Sequence, residues 1–337
     1  MIYFAGNPYT HKVRAYNNLR ALCYIYQGDT ILNLKNPLLA YPQDGFYQFD
    51  LASFFRYYTP IRLPKPQISN QINYLGEAQS FTIKTIVNQN EVHNQDLQFF
   101  PGMGVVGSLD RWFNQYLTFQ PNSYEVWSNE PLFRYTYLNT EYVDTFVAGG
   151  TFYYSDGTSS SFVSNQMPYK HGLYLFDCSL YRYKRLATPG KEIVRYSICL
   201  CDLSNKPITP QLTFTLKLRP NYYPAIITFR NKLGTWDIFS FTQIKTWLDI
   251  AQVKGILEGN NEIPTQIENR DKIAVSSGSI KQSMIEALSQ IAASSEIYLH
   301  TQRVFLTNQN LAVFTQSDPI MSMQLEFQKS QVIEVHV

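Results

Sequence analysis

Short runs of alternating apolar and polar residues recur along this chain. Near its end Met321, Met323, Leu325 and Phe327 alternate with Ser322, Gln324, Glu326 and Gln328, the period of two that gives a strand one buried and one wet face. Ala21–Tyr26, Phe46–Asp50, Phe81–Ile86, Val194–Leu200 and Leu212–Leu216 are β-branched or aromatic runs, mostly with Gly, Pro, Asn or Asp close by, and read as further strands. Turn chemistry agrees. Asp156-Gly157 lies between two strand-like arms as in a tight hairpin, and Thr188-Pro189-Gly190-Lys191 turns the chain before a strand near 193. One long segment has helical spacing: Ile280, Met284, Ala287, Leu288 and Ile291, with Ser279 as the candidate cap. Asp50–Tyr58 and Ser108–Leu117 are two shorter helix candidates.

This inventory predicts an all-β dominated fold: tandem antiparallel β-sandwich domains of immunoglobulin or fibronectin type, with a small α+β part at the C-terminal end. Residues 1–107 form the first sandwich, broken by the Pro-rich stretch Pro60–Pro66, and residues 108–144 form an aromatic connector with a short helix. A second sandwich occupies 145–243 and the α+β domain 244–337. A chain of 337 residues is long enough for two or three such units.

Composition changes the picture in one respect. Charged residues make up 16% of the chain, against about 25% in an average domain, while 25 Tyr and 22 Phe bring the aromatic share to 15%. Tyrosine buries area and still satisfies its hydroxyl, so a low-charge, Tyr-rich surface suits a subunit that works assembled. Tyr57, Tyr58, Trp127, Tyr181 and Tyr183 are the candidate interface anchors. The formal net charge is +2 and no basic run exceeds Arg182-Tyr183-Lys184-Arg185, so specific nucleic-acid binding is not expected. No basic leader precedes an apolar run and no apolar stretch reaches 18 residues, so neither export signal nor membrane insertion is expected.

Candidate chemistry is sparse. Gly102-x-Gly104-x-x-Gly107 has dinucleotide-loop spacing, but that loop needs a βαβ unit, and Pro101 stands where the preceding strand would have to donate a hydrogen bond; a structural loop is expected instead. His11, His93, His171, His300 and His336 are scattered, with no metal-ligand spacing among them. Cys23, Cys178, Cys199 and Cys201 form no C-x-x-C pair; Cys199 and Cys201 should share one strand face as buried free thiols. No cofactor, metal or catalytic residue is expected. Asp237, Glu258 and Glu262 stay open as members of a carboxylate pair, and Trp112, Trp127 and Trp236 as sugar-stacking or core residues.

The stretch Pro220-Asn-Tyr-Tyr-Pro224-Ala-Ile-Ile-Thr-Phe229-Arg-Asn231-Lys-Leu-Gly234-Thr-Trp236-Asp237-Ile-Phe239-Ser-Phe241 reads as a strand, a tight Asn-Lys-Leu-Gly turn and a return strand. With its Trp-Asp and Phe-x-Phe, it resembles virion structural proteins, of tail or baseplate type, from tailed phages and prophages of Bacteroidetes bacteria. The resemblance implies a non-enzymatic structural subunit, assembled in the host cytoplasm and residing in the virion, whose partners are copies of itself and other virion proteins. It carries over no catalytic residue. Three alternatives remain: a capsid protein with jelly-roll domains, a glycan-binding adhesin with an aromatic groove, and a tail depolymerase with two carboxyls about 5–9.5 Å apart.

Overall fold

The computed structural model describes residues 2–4, 9–15, 18–51, 54, 71–76, 79–100, 112–140, 143–217, 224–241, 243–258, 261–308 and 321–329. The glycine motif at 102–107, Tyr57, Tyr58 and most of both shorter helix candidates lie outside these residues.

In the first hundred residues the strands are β1 (Ile2–Phe4), β2 (Thr10–Arg14), β3 (Ala21–Gln27), β4 (Thr30–Ile31), β5 (Leu38–Ala40), β6 (Phe46–Asp50), β7 (Ile72–Gly76), β8 (Gln79–Val87) and β9 (Asn90–Phe100). One sheet runs β1-β9-β8-β3-β4, with β5 also on β3, and a β2–β6 ribbon covers it. Alternation does the work here: Ala21, Cys23 and Ile25 of β3 and Phe81 and Ile83 of β8 point inward, against Val13, Tyr47 and Phe49 of the ribbon. This core is separate from the rest of the molecule's.

The next strands are β10 (Ser123–Val126), β11 (Phe133–Leu138), β12 (Thr145–Tyr154), β13 (Ser159–Val163), β14 (Met167–Pro168), β15 (Gly172–Asp177), β16 (Ile193–Asp202) and β17 (Leu212–Leu216). They build a six-stranded sheet, β10-β17-β16-β12-β13 with β14 on β12, and a three-stranded sheet, β11-β15-β7. The last group is β18 (Ala225–Arg230), β19 (Trp236–Phe241), β20 (Gln243–Glu258), β21 (Asn261–Ile280), β22 (Ile297–Leu299), β23 (Gln302–Asn308) and β24 (Met321–Lys329). It forms one seven-stranded sheet, β19-β18-β22-β23-β24-β21-β20. Among the described residues two helices have full bounds, α1 (Leu180–Tyr183) and α2 (Ile285–Ala292), and Ala287, Leu288 and Ile291 of α2 enter the shared core.

The three-stranded sheet is the middle layer. Its Tyr174 and Phe176 meet Phe146, Tyr196 and Phe214 of the six-stranded sheet, while Phe133, Tyr135 and Leu175 on the other face meet Leu233, Trp236 and Ile238 of the β18–β19 hairpin. Every residue of β11 and β15 is therefore buried.

Mainly antiparallel, sandwich-type β architecture is thus the fold, with block limits that differ from the expected ones. The β18–β19 hairpin belongs to the C-terminal sheet, because Ile227 pairs with Leu299. The stretch 108–144 contributes β10 and β11 to the sandwich, and β7 crosses from the first block to pair with β15. From Phe113 on, the 108–117 helix candidate is not a helix: Asn114 has φ 58°, and Phe113 and Tyr116 bridge to Tyr137 and Thr136 of β11. Ser279 does not cap α2, since β21 stays extended through Ile280 and a 3₁₀ turn, Gln282–Met284, intervenes.

Gly150 of β12 yields a first prediction. A Cβ there would lie 2.0 Å from the Ser197 carbonyl oxygen and 2.7 Å from Cζ of Phe162, whose ring stacks on Phe152 at 4.3 Å. Backbone cannot rotate away, so Gly150→Ala should cost about 3 kcal/mol or more, whereas Gly149→Ala, which meets Cys201 Sγ at 3.3 Å, should cost far less. Urea midpoints of the two variants check the contrast.

Candidate functional site

The turn from Asn231 to Gly234 of the β18–β19 hairpin is anchored, not displayed. Asn231 Nδ2 donates to the Leu117 carbonyl (3.0 Å) and to Asp237 Oδ2 (3.0 Å), Leu233 N–H donates to Asn231 Oδ1, and Thr235 Oγ1 donates to the Leu117 carbonyl (2.6 Å). Gly234 closes the turn at φ 82°, a conformation glycine adopts without strain. Below it, Arg134 is 1% exposed on β11 and donates from Nη2 to the Tyr124 hydroxyl (2.6 Å) and from Nη1 to the Phe133 carbonyl. Burial pushes the Asp237 carboxyl up, while Arg134, Asn231 and Thr118 favour its charged form. A second buried cation, Arg230, pairs with Glu296 Oε2 at 3.1 Å, donates to the Gly234 carbonyl and lies 4.6 Å over the Trp236 ring. These buried groups weld the hairpin to the middle layer.

Beside them lies a cavity of about 250 Å³, lined by Trp127, Glu130, Lys217, Ser240, Lys281 and Met284 among others. The tight turn from Trp127 to Glu130 shapes it: Trp127 N–H donates to Glu130 Oε2 and Glu130 N–H to the Trp127 carbonyl. Burial pushes the Glu130 carboxyl up to about 7, against the Trp127 amide, Ser240 and Lys217, which favour the charged form. Burial also lowers the Lys217 ammonium, whose nitrogen lies 3.7 Å from the Trp127 ring centroid. A sugar stacking on that face of Trp127 would have to displace it.

Glu130 sets a pH dependence. Its folded pKa lies above the ordinary 4.5, so its contribution to stability is fully present below about 4.5 and is lost as pH rises through about 7. Glu130→Gln should therefore be more stable than the natural chain by about 3 kcal/mol at pH 8, with the advantage vanishing toward pH 4.5. Chemical denaturation at both pH values measures it.

No family model matches the chain, and no curated protein matches it.

The other expected site residues are dispersed. Tyr183 is fully buried and donates to the Asp177 carbonyl at 2.7 Å, so it is a core residue and not an interface anchor: it sits on the inward side of α1. Tyr181, on the opposite side, is 49% exposed. Trp236 is buried and Trp112 packs edge-on against Phe119. Asp237 is sealed in the core, while Glu258 and Glu262 fall at the far end of the β20–β21 hairpin, so these three do not share a cleft. Cys199 and Cys201 do share a strand face, buried and free, with sulfurs 3.3 Å apart. His11 and His93 are brought together from β2 and β9, with ring centroids 5.2 Å apart, and burial beside His93 lowers His11 to about 4. Among the described residues no group of three or more His, Cys, Asp or Glu could hold a metal ion, and no helix is long and apolar enough to cross a membrane.

Two surface features remain. Beside α1 an open cleft of about 480 Å³ is lined by Gln71, Asn165, Met167, Tyr181, Arg182 and Arg185, among others. The other is the β20–β21 hairpin. Its strands span 16 and 20 residues and pair from Gln243↔Ser276 to Glu258↔Asn261, but β24 covers β21 only from Lys272 to Ile280. From Leu248↔Asp271 outward, the two strands pair only with each other among the described residues, as an arm of about 36 Å.

Proposed function

We propose that this chain is a non-catalytic structural subunit of a phage particle, of tail or baseplate type, that assembles with copies of itself and with neighbouring virion proteins. The observation that carries the reading is the arm. An isolated two-stranded hairpin is marginally stable in water, and an uncovered edge strand templates pairing with another chain. A hairpin this long is best accounted for by a partner along its length. Low charge, abundant tyrosine and the resemblance of residues 226–242 to phage virion proteins support the same reading.

Two other readings have less support. A glycan platform at Trp127 meets the Lys217 ammonium on the ring, and the Asp237 carboxyl is buried and accepts from Asn231. Negative-stain images of the purified full chain test the proposal: closed rings or regular sleeves are the expected result, and a uniform field of single 39.1 kDa particles at high concentration would sink it.

A further inference from the structure

We infer that the cavity beside Trp127 and Glu130 is a binding site for a small apolar molecule with a neutral primary amide head. The site goes beyond the structural role proposed above and does not depend on it.

The cavity is walled by two sheets. Tyr124 belongs to β10 of the six-stranded sheet, and Phe239 and Ser240 of β19 and Ile280 of β21 belong to the seven-stranded one. Tyr124, Phe239 and Met284 are buried, and the Tyr124 hydroxyl is already engaged, accepting from Arg134 Nη2 and donating to Gln120 Oε1. Tyr124 therefore offers the cavity its ring, next to the apolar surface of Phe239, Ile280 and Met284. A cavity of about 150 Å³ accommodates benzene. One of about 250 Å³ has room for a ring with a short polar chain.

Three polar groups line the same space. Ser240 is 5% exposed, and although its hydroxyl stands near enough to Glu130 to favour that carboxyl's charge, it completes no hydrogen bond. A hydroxyl buried in this way costs free energy until something in the cavity bonds it. Glu130 is as deeply buried, and its Oε2 accepts from the Trp127 N–H. Lys217 is half-buried with its ammonium on the Trp127 ring, and no ion pair joins it to Glu130 among the described residues. The walls thus present ammonium donors, a carboxyl acceptor and a hydroxyl that serves as either.

Charge selects the head of the ligand. A carboxylate would meet Glu130 and Glu125, and an ammonium would meet Lys217 and Lys281. A primary amide carries no charge, accepts through its oxygen from Lys217 and donates through its nitrogen to Glu130 or Ser240. It also loses less than an ion does on leaving water. On the exposed side of the cavity Lys281 Nζ lies 3.4 Å from Glu125 Oε1, and an exposed pair of this kind is weak enough to part for entry.

The test is a titration of the purified full chain, followed by ligand-observed NMR, with three probes of one shape: 3-phenylpropanamide, 3-phenylpropanoate and 3-phenylpropylamine. The amide should bind, and the acid and the amine should each bind at least about tenfold more weakly. Ser240→Ala should weaken the amide about tenfold and leave the unfolding temperature unchanged or raised, because it removes a hydroxyl that has no partner. Lys217→Met keeps an apolar chain against Trp127; it should weaken the amide by a similar factor and narrow its preference over the amine. No binding of the amide up to its solubility limit means a cavity that holds water only, and overturns the inference. Equal affinity for the three probes overturns it too, as do Ser240→Ala and Lys217→Met variants that fold and bind the amide as the natural chain does. Each of these results leaves self-assembly standing.

Discussion

A chain in which residues 248–271 are replaced by Asn-Gly stays folded and fails to assemble. Trp247 and Lys272 are directly paired, so a two-residue turn can join them without altering the register below. The rungs from Lys272↔Gln328 to Ile280↔Met321 remain, as does the core under them, where Ile273, Val275, Met323, Leu325 and Phe327 are buried. Thermal unfolding should therefore change by only a few degrees, while the concentration for half-assembly rises at least roughly a hundredfold, the effect of removing about 3 kcal/mol or more of contact. An armless chain that assembles like its parent shows that the arm is not the connector. One that no longer unfolds cooperatively shows that the arm supports its own fold.

Arg134→Met should be the most damaging single substitution of a charged residue. It removes the buried guanidinium that donates to the Tyr124 hydroxyl and the Phe133 carbonyl and whose charge favours the ionised Asp237, and leaving buried acceptors without their donor costs about 1–3 kcal/mol each. Asp237→Asn should also destabilise, because it removes the carboxylate that accepts from Asn231 and whose charge favours the buried guanidinium. The double variant should recover part of the sum, since neither charge is then left alone. The sign with pH follows: without Arg134 the Asp237 carboxyl rises further above its ordinary value, so the deficit is largest at neutral pH and narrows as the acid protonates. Urea unfolding of the three variants at pH 7 and pH 5 tests both statements. Equal losses at the two pH values, with strictly additive effects, contradict an electrostatic coupling between Arg134 and Asp237.

Much of the strand inventory was legible because half-buried strands carry their own signature. The alternation of Met323, Leu325 and Phe327 with Gln324 and Glu326 is the burial pattern of β24, and the Asp156-Gly157 turn closes with Gly157 at φ 81°. What stayed hidden was set by distant neighbours. Arg134 and Tyr135 look like one polar and one apolar position, yet both are buried, because β11 is covered on both faces by layers far away in sequence. The β18–β19 hairpin was visible as a hairpin, but only the pairing of Ile227 with Leu299 assigns it to the C-terminal sheet. The arm escaped notice because register shifts between Gln252 and Gly255 break the period of two, and Pro264 interrupts the returning strand. Glu130 and Lys217 carried no motif at all; only the fold brings a buried carboxyl and a tryptophan-bound ammonium to one cavity.

Light scattering from the purified full chain, followed over a wide range of concentrations, tests the central claim most directly. Self-assembly predicts discrete masses at whole multiples of 39.1 kDa that fall to one copy on dilution. A mass of one copy throughout, up to the highest concentration the protein reaches in solution, contradicts it.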